Sequence, residues 1–276
     1  MTVLKITKFL MICFIAICCL APVTVLAQQT LNPDRNEPLE ITADQTLEWH
    51  RNNQKFIARG NVIVKQGKVT IAADILTADY REAGSSFEIY RLSADGHVKI
   101  TAQGNIATGQ KAVYEVDRGL AVMTGNNLSL TSPDQSVTAR DSFEYWVAEG
   151  RLRALGNARV VRGEDRLDAD SVSAVFAESA AGTRQLQSLD AEGHVRIATP
   201  DETLTGNKGH YSAAVNIATL TGDVRIMRDP NILEGEQAEV NLGTNISIMR
   251  GNTGLTGHSN GRVRGVFYPD SADKNP

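Results

Sequence analysis

The sequence predicts an all-β protein of stacked antiparallel strands, and three observations predict it. A short glycine-led phrase recurs along the chain at near-constant spacing. An acid-led phrase interleaves with it, and both set apolar residues at alternate positions, the period of a strand with one buried face. No stretch beyond residue 27 carries the apolar stripe of an amphipathic helix.

The chain opens on Lys5 and Lys8, continues through the apolar run 9–20 and reaches small residues at Val25-Leu26-Ala27. That order predicts a secretory signal peptide over 1–27 and an exported mature protein. An uncleaved anchor is the alternative, because residues 9–26 are mostly apolar. Cys13, Cys18 and Cys19, the only cysteines, fall inside this segment. The mature chain is therefore expected to have no disulfide, thiol ligand or thiol nucleophile. Its 249 residues carry 26 basic and 32 acidic side chains, a balance that argues against electrostatic nucleic-acid binding. Residues 28–37 read as a polar lead-in.

The glycine phrase is glycine, a polar residue, an apolar residue, a variable one and a second apolar one. It occurs as Gly60-Asn61-Val62-Ile63-Val64, Gly96-His97-Val98-Lys99-Ile100 and Gly156-Asn157-Ala158-Arg159-Val160. It returns as Gly193-His194-Val195-Arg196-Ile197 and Gly222-Asp223-Val224-Arg225-Ile226, with weaker copies at Gly125 and Gly251. Gly60, Gly96 and Gly125 map onto Gly156, Gly193 and Gly222 with offsets of 96, 97 and 97. Leu92 maps onto Leu189, Gly109 onto Gly206 and Tyr114 onto Tyr211 at the same offset. A tandem duplication follows, with unit 1 over 38–139 and unit 2 over 140–266, the latter including a partial extra rung. Residues 267–276 read as a disordered tail.

The second phrase starts at Asp44, Asp74, Gln110, Asp141, Asp170, Asn207 and Glu236, positions expected to be strand starts or turns. Alternation then predicts which side chains face inward. In unit 1 they are Val62, Val64, Leu76, Val98, Ile100, Ala112 and Tyr114. From Phe143 onward they are Val160, Val172, Val195, Ile197, Tyr211, Val224 and Ile226. Two copies slip by one, turning Leu47 and Trp49, and Leu128 and Leu130, inward as a bulge or end rung would. Strand plus turn at about 8–12 residues gives around two dozen short strands, stacked so that each rung covers the apolar face of the next.

Catalytic patterns are missing: the sequence has no HExxH, GxSxG, P-loop or GxGxxG. His97 and His194 are one repeat position seen twice, alternating with Asn and Asp, and predict an outward polar residue rather than a metal ligand. No catalytic residue, metal or cofactor is expected. The residue three after the glycine is basic in Lys99, Arg159, Arg196 and Arg225. Either this column is a solvated outer face that discourages edge aggregation, or it contacts phosphates at the rim of a lipid groove.

The stretches Leu204-Thr-Gly-Asn-Lys-Gly-His-Tyr211 and Leu220-Thr-Gly-Asp-Val-Arg-Ile226 resemble the OstA-like (LptA) family of periplasmic lipopolysaccharide (LPS) transport proteins. The same pattern is legible at 71–80, 107–125 and 167–176, and Pro38-Leu-Glu-Ile-Thr-Ala-Asp44 is similar to that family's first strand. The resemblance covers nearly the whole mature chain, with the unit present twice. It implies an open, twisted, solenoid-like β-jelly-roll that shields acyl chains in an apolar groove lined by the fifteen inward residues. The implied ligand is the lipid A part of LPS. The implied partners are an LptC-like inner-membrane adaptor and an LptD-like outer-membrane barrel, and the implied location is the periplasm. An LptC-like membrane-anchored adaptor, a carbohydrate-active β-helix enzyme and a filament-forming solenoid remain open as alternatives. A stack that does not close ends in two edge strands, expected near 39–49 and 245–266. These edges predict head-to-tail self-association or strand addition by the partners.

Overall fold

The computed structural model describes residues 39–83, 86–178, 184–241, 243–244, 246–251 and 261–268. The signal segment, the polar lead-in and the tail beyond Tyr268 lie outside the described residues.

The chain makes a succession of traverses, each a rung of one stack. The first is split into β1 (Glu40–Thr42) and β2 (Thr46–His50). Four unbroken strands follow: β3 (Lys55–Gln66), β4 (Val69–Ala83), β5 (Ser86–Ala102) and β6 (Asn105–Glu115). Two split rungs come next, β7 (Leu120–Thr124) with β8 (Leu128–Thr131), then β9 (Gln135–Ala139) with β10 (Ser142–Trp146). Six more are unbroken: β11 (Arg151–Arg162), β12 (Asp165–Glu178), β13 (Arg184–Ala198), β14 (Thr203–Ser212), β15 (Ile217–Arg228) and β16 (Asn231–Asn241). The last is β17 (Ile246–Arg250) with β18 (Arg264–Val266). Each rung pairs antiparallel with its neighbours in the stack, and the ladder crosses the boundary between units unbroken through β7–β10 and β9–β11.

The stack is all-β, as expected, but its strands are fewer and longer than two dozen short ones. The described residues form 18 strands, and β5 alone runs 17 residues. The reason is that the rung bends within a strand instead of at a turn. Gly60 and Asn61 in β3 both have positive φ, 83° and 42°, and two residues there oppose the single Asp74 of β4. Gly96-His97, Gly156-Asn157, Gly193-His194 and Gly222-Asp223 repeat this bulge. Such bulges sharpen the local twist and bend the strand, so each rung has two arms that meet at a corner.

The acid-led phrase belongs to the same corner: Asp44 and Asp141 lie in bends just ahead of β2 and β10, as expected, whereas at the other five positions the reading as strand start or turn is corrected. Asp74, Asp170 and Asn207 sit in mid-strand, each lying against the glycine of the next rung. A Cβ on Gly96 would collide with the Asp74 carboxylate, and one on Gly193 with that of Asp170. His97 Nδ1 lies 2.8 Å from Asp74 Oδ2 and His194 Nδ1 2.9 Å from Asp170 Oδ2, with both imidazoles pointing into solvent. Gly96→Ala should therefore destabilise through positive-φ strain of about 1–3 kcal/mol as well as the collision. Thermal unfolding should fall by at least several degrees, at about 2–4 °C per kcal/mol for a chain of this size. An unchanged midpoint would refute this account of the corner.

Both arms bury into one core. Val62 and Val64 of the arm after the corner and Ala58 and Leu76 of the arm before it belong to a single apolar cluster. That cluster continues through Leu128, Phe143 and Val172 to Val224 and Ala238, so the two units share one interior.

Candidate functional site

Alternation along each strand turns the fifteen predicted inward residues into columns running along the stack. Val62, Val64, Leu76, Val98, Phe143, Val172, Val195, Tyr211 and Val224 are buried. Ile100, Ala112, Val160, Ile197 and Ile226 are half-buried and pack on the main core, whereas Tyr114 is half-buried outside it. This gradient has a geometrical cause. Residues two beyond the glycine sit at the corner where the arms meet, and Val98, Val195 and Val224 are each only 1% exposed. Residues four beyond it lie farther from the corner, and all but the buried Val64 keep part of their surface open.

The register joins these outer residues into one aliphatic ladder. It runs Ile41, Val64, Ile71, Ile100, Ala107, Leu130 and Val137 through unit 1 and over the boundary. It goes on through Val160, Leu167, Ile197, Leu204, Ile226 and Leu233. At about 4.8 Å per rung the ladder is about 60 Å long, with an apolar side chain at every step. Eight of its thirteen members were not among the fifteen predicted residues, and six of them, Ile41, Ile71, Ala107, Leu167, Leu204 and Leu233, each stand three before an acid-phrase position. That spacing was a readable signal.

Leu128 and Leu130 face the core as the slipped register requires. Leu47 and Trp49 pair with the inward Ala58 and Phe56 but remain exposed, because nothing among the described residues covers the first rung. Trp49 stacks on Phe56 (ring centroids 5.4 Å) and its indole N–H donates to the Tyr80 hydroxyl at 2.8 Å. Phe87 joins this aromatic group from the β4–β5 hairpin.

The basic column lies on the outer face, opposite the ladder. Lys99, Arg159, Arg196 and Arg225 are exposed. Arg159 Nε donates to Asp168 at 2.7 Å, and Arg225 Nε is 3.6 Å from Glu234. Partial burial pushes the Asp168 carboxyl up, but the Arg159 and Arg166 guanidiniums together hold it below the usual carboxylate range. The arrangement is that of a solvated face laced by ion pairs between rungs. Among the described residues no three His, Cys, Asp or Glu side chains group as a metal site would require.

Fold and site together define a duplicated β-stack whose chemistry is an uninterrupted apolar interior. The chain belongs to the LptA/(LptD N-terminal domain) LPS transport protein family, whose model matches it twice, over residues 40–145 and 141–246. Two matches by one model agree with a duplicated unit. An uncharacterised protein of Rhizobium meliloti (strain 1021) is 29% identical over 122 residues, a match spanning 42% of this chain and 65% of that protein. The crystal structure of LptH, the LptA-homologous periplasmic component of the LPS transport device of Pseudomonas aeruginosa, aligns at 12% identity. That alignment covers 86% of this chain and 99% of LptH with a TM-score of 0.22.

Proposed function

We propose that this protein is exported to the periplasm, binds LPS by its lipid A acyl chains along the half-buried ladder, and forms part of a bridge between inner and outer membranes. The observation that carries this reading is the unbroken run of apolar positions from Ile41 to Leu233. Exposing an acyl chain of about a dozen carbons to water costs on the order of 10 kcal/mol, at about 0.8 kcal/mol per methylene. A ladder with an apolar contact at every rung lets a chain advance without crossing a polar step. Shielding of this kind needs no catalytic group, and the family is one of transport proteins.

The test is site-specific photo-crosslinking with benzoylphenylalanine at Ile100 and Ile197, one in each unit, in cells making LPS. Both should yield LPS adducts, and the same probe at Lys99 on the outer face should yield far fewer. Equal crosslinking from Lys99, or none from either ladder position, would reject the groove.

The bridge itself is proposed to form by strand addition at the stack's ends, and the molecule carries a template for such a joint. Where unit 1 meets unit 2, Leu120-Ala-Val-Met-Thr124 of β7 pairs with Ser142-Phe-Glu-Tyr-Trp146 of β10. The last rung presents Ile246-Ser-Ile-Met-Arg250, and the first presents Thr46-Leu-Glu-Trp-His50. Aliphatic, small, aliphatic, methionine, polar recurs on one side; hydroxyl, large apolar, glutamate, aromatic, ring recurs on the other. Leu120 is 9% exposed within the joint, whereas Ile246 at the free end is 55% exposed. The two ends thus repeat the two sides of an internal joint and suit head-to-tail addition of a second copy. An LptC-like adaptor or LptD-like barrel bearing related edge strands would dock by the same means.

A further inference from the structure

We infer that Phe267 supplies the ladder side chain that the last rung lacks, and that it carries the apolar ladder across the joint into the first rung of a second copy of this chain. This inference rests on the LPS-binding and strand-addition readings above and adds the residue at the seam. β16 pairs with β17 and β18 as β6 pairs with β7 and β8. Leu233 and Ala107 hold one repeat position, three before Glu236 and Gln110. Ala107 faces Leu130, but Leu233 faces Gly265. The last rung thus breaks the rule of an apolar side chain at every step, and Phe267, two residues on, mends the break. A Cβ on Gly265 would stand 2.7 Å from Phe267 Cε2, 3.2 Å from Phe267 Cζ and 3.3 Å from Leu233 Cδ2. The ring therefore occupies the place of the missing side chain, beside the ladder.

The internal joint shows what would cover this ring. There Leu130 of β8 faces Val137 of β9, and the pairing runs on to Ser132, whose N–H donates to the Gln135 carbonyl at 2.8 Å. Val137 is one repeat beyond Ile41, and Gln135 one repeat beyond Leu39. The same register between two molecules sets Gly265 opposite Ile41 and Phe267 opposite Leu39. Leucine followed by serine inside the chain thus becomes glycine followed by phenylalanine at its end, with the apolar group moved two residues along and folded back. A ring over an edge glycine covers bare backbone, but here it leaves most of itself uncovered, since Phe267 is 66% exposed. Leu39 and Ile41 likewise keep part of their surface. Charge favours a second copy as the occupant. Residues 39–50 carry Glu40, Asp44 and Glu48 and no lysine or arginine. The described last rung carries Arg250, Arg262 and Arg264 and no acid. Arg250 and Arg264 each pair with one glutamate of β16 and still stay exposed.

The test places benzoylphenylalanine at Phe267 of the full chain in cells making LPS. Irradiation should give two adducts, one with LPS and one with a second copy, the latter attached at residues 39–41 of that copy. Sedimentation of purified variants then separates the seam from the fold. Phe267→Ala should weaken self-association about tenfold or more, the scale of losing one buried aromatic anchor, with circular dichroism unchanged. Gly265→Leu should weaken it too, since the new side chain meets the ring. Combining Gly265→Leu with Phe267→Ala copies Leu130 and the small Ser132 of the internal joint and should restore association. Attachment to another protein or to other residues of a second copy would overturn the seam. So would unchanged association in Phe267→Ala, no rescue in the double variant, or no LPS adduct at Phe267 alongside adducts at Ile100 and Ile197. Monomers of the unmodified chain would overturn the seam together with strand addition. Absence of adducts at Ile100 and Ile197 would overturn it together with the lipid reading, so the failures are distinguishable.

Discussion

Under oxidising conditions, a chain carrying Leu47→Cys and Met249→Cys should form a ladder of disulfide-linked oligomers. In the internal joint Met123 lies opposite Phe143, and the same register between two molecules places residue 249 opposite residue 47. Facing residues of an antiparallel pair have Cα atoms about 4.5–5.5 Å apart, within disulfide reach. The native cysteines fall in the N-terminal segment, so no other thiol of the mature chain competes. Pairing Leu47→Cys with Ile248→Cys, whose side chain points to the other face, should give little or no ladder. A charge test runs in parallel. The template sets Val122 opposite Glu144, so Ile248→Glu would place a carboxylate against Glu48 of the next molecule and weaken association. Glu48→Lys should restore it. Monomers throughout, or oligomers indifferent to both pairs, would mean that the ends do not join in this register.

Val98→Asp and its repeat equivalent Val195→Asp should each cost more than about 4 kcal/mol, the range reserved for an unpaired charge in a core. Both valines are 1% exposed at the corner, with no cation of the described core to pair the new carboxylate. Against a typical total of about 5–15 kcal/mol, much of the folded population would be lost. Two residues on, Ile100→Asp lies where the arms part, so it should leave the fold largely intact and abolish lipid crosslinking instead. Lys99→Glu, between them but outward, should change stability by less than about 0.5 kcal/mol. Circular dichroism and crosslinking on the four variants read this out. If Lys99→Glu proved the most damaging, the outer basic column and not the apolar ladder would be the working surface.

Much of this was legible in the chain because a repeat reports its own periodicity many times over. The glycine phrase marked a recurring place in a stack, though not the length of its strands, the alternation around Val98 and Ile100 separated inner from outer faces, and the 97-residue offset exposed the duplication. Local chemistry sufficed there, since a strand's side chains alternate wherever it lies. What the glycine and the acid were for was not legible. Gly96 and Asp74 are 22 residues apart in sequence, and only the pairing of β4 with β5 brings the carboxylate onto the glycine. The distinction between Val98, sealed at the corner, and Ile100, partly open, likewise depends on how far each stands from the meeting of the arms. Nor could the sequence tell Tyr114 from Tyr211, which occupy one repeat position. Their different burial comes from where two distant hairpins send their side chains, toward Trp49 and Phe56 in one unit and onto Tyr211 in the other. Pattern along a chain determines which face a residue takes, and only packing between chain segments decides what covers it.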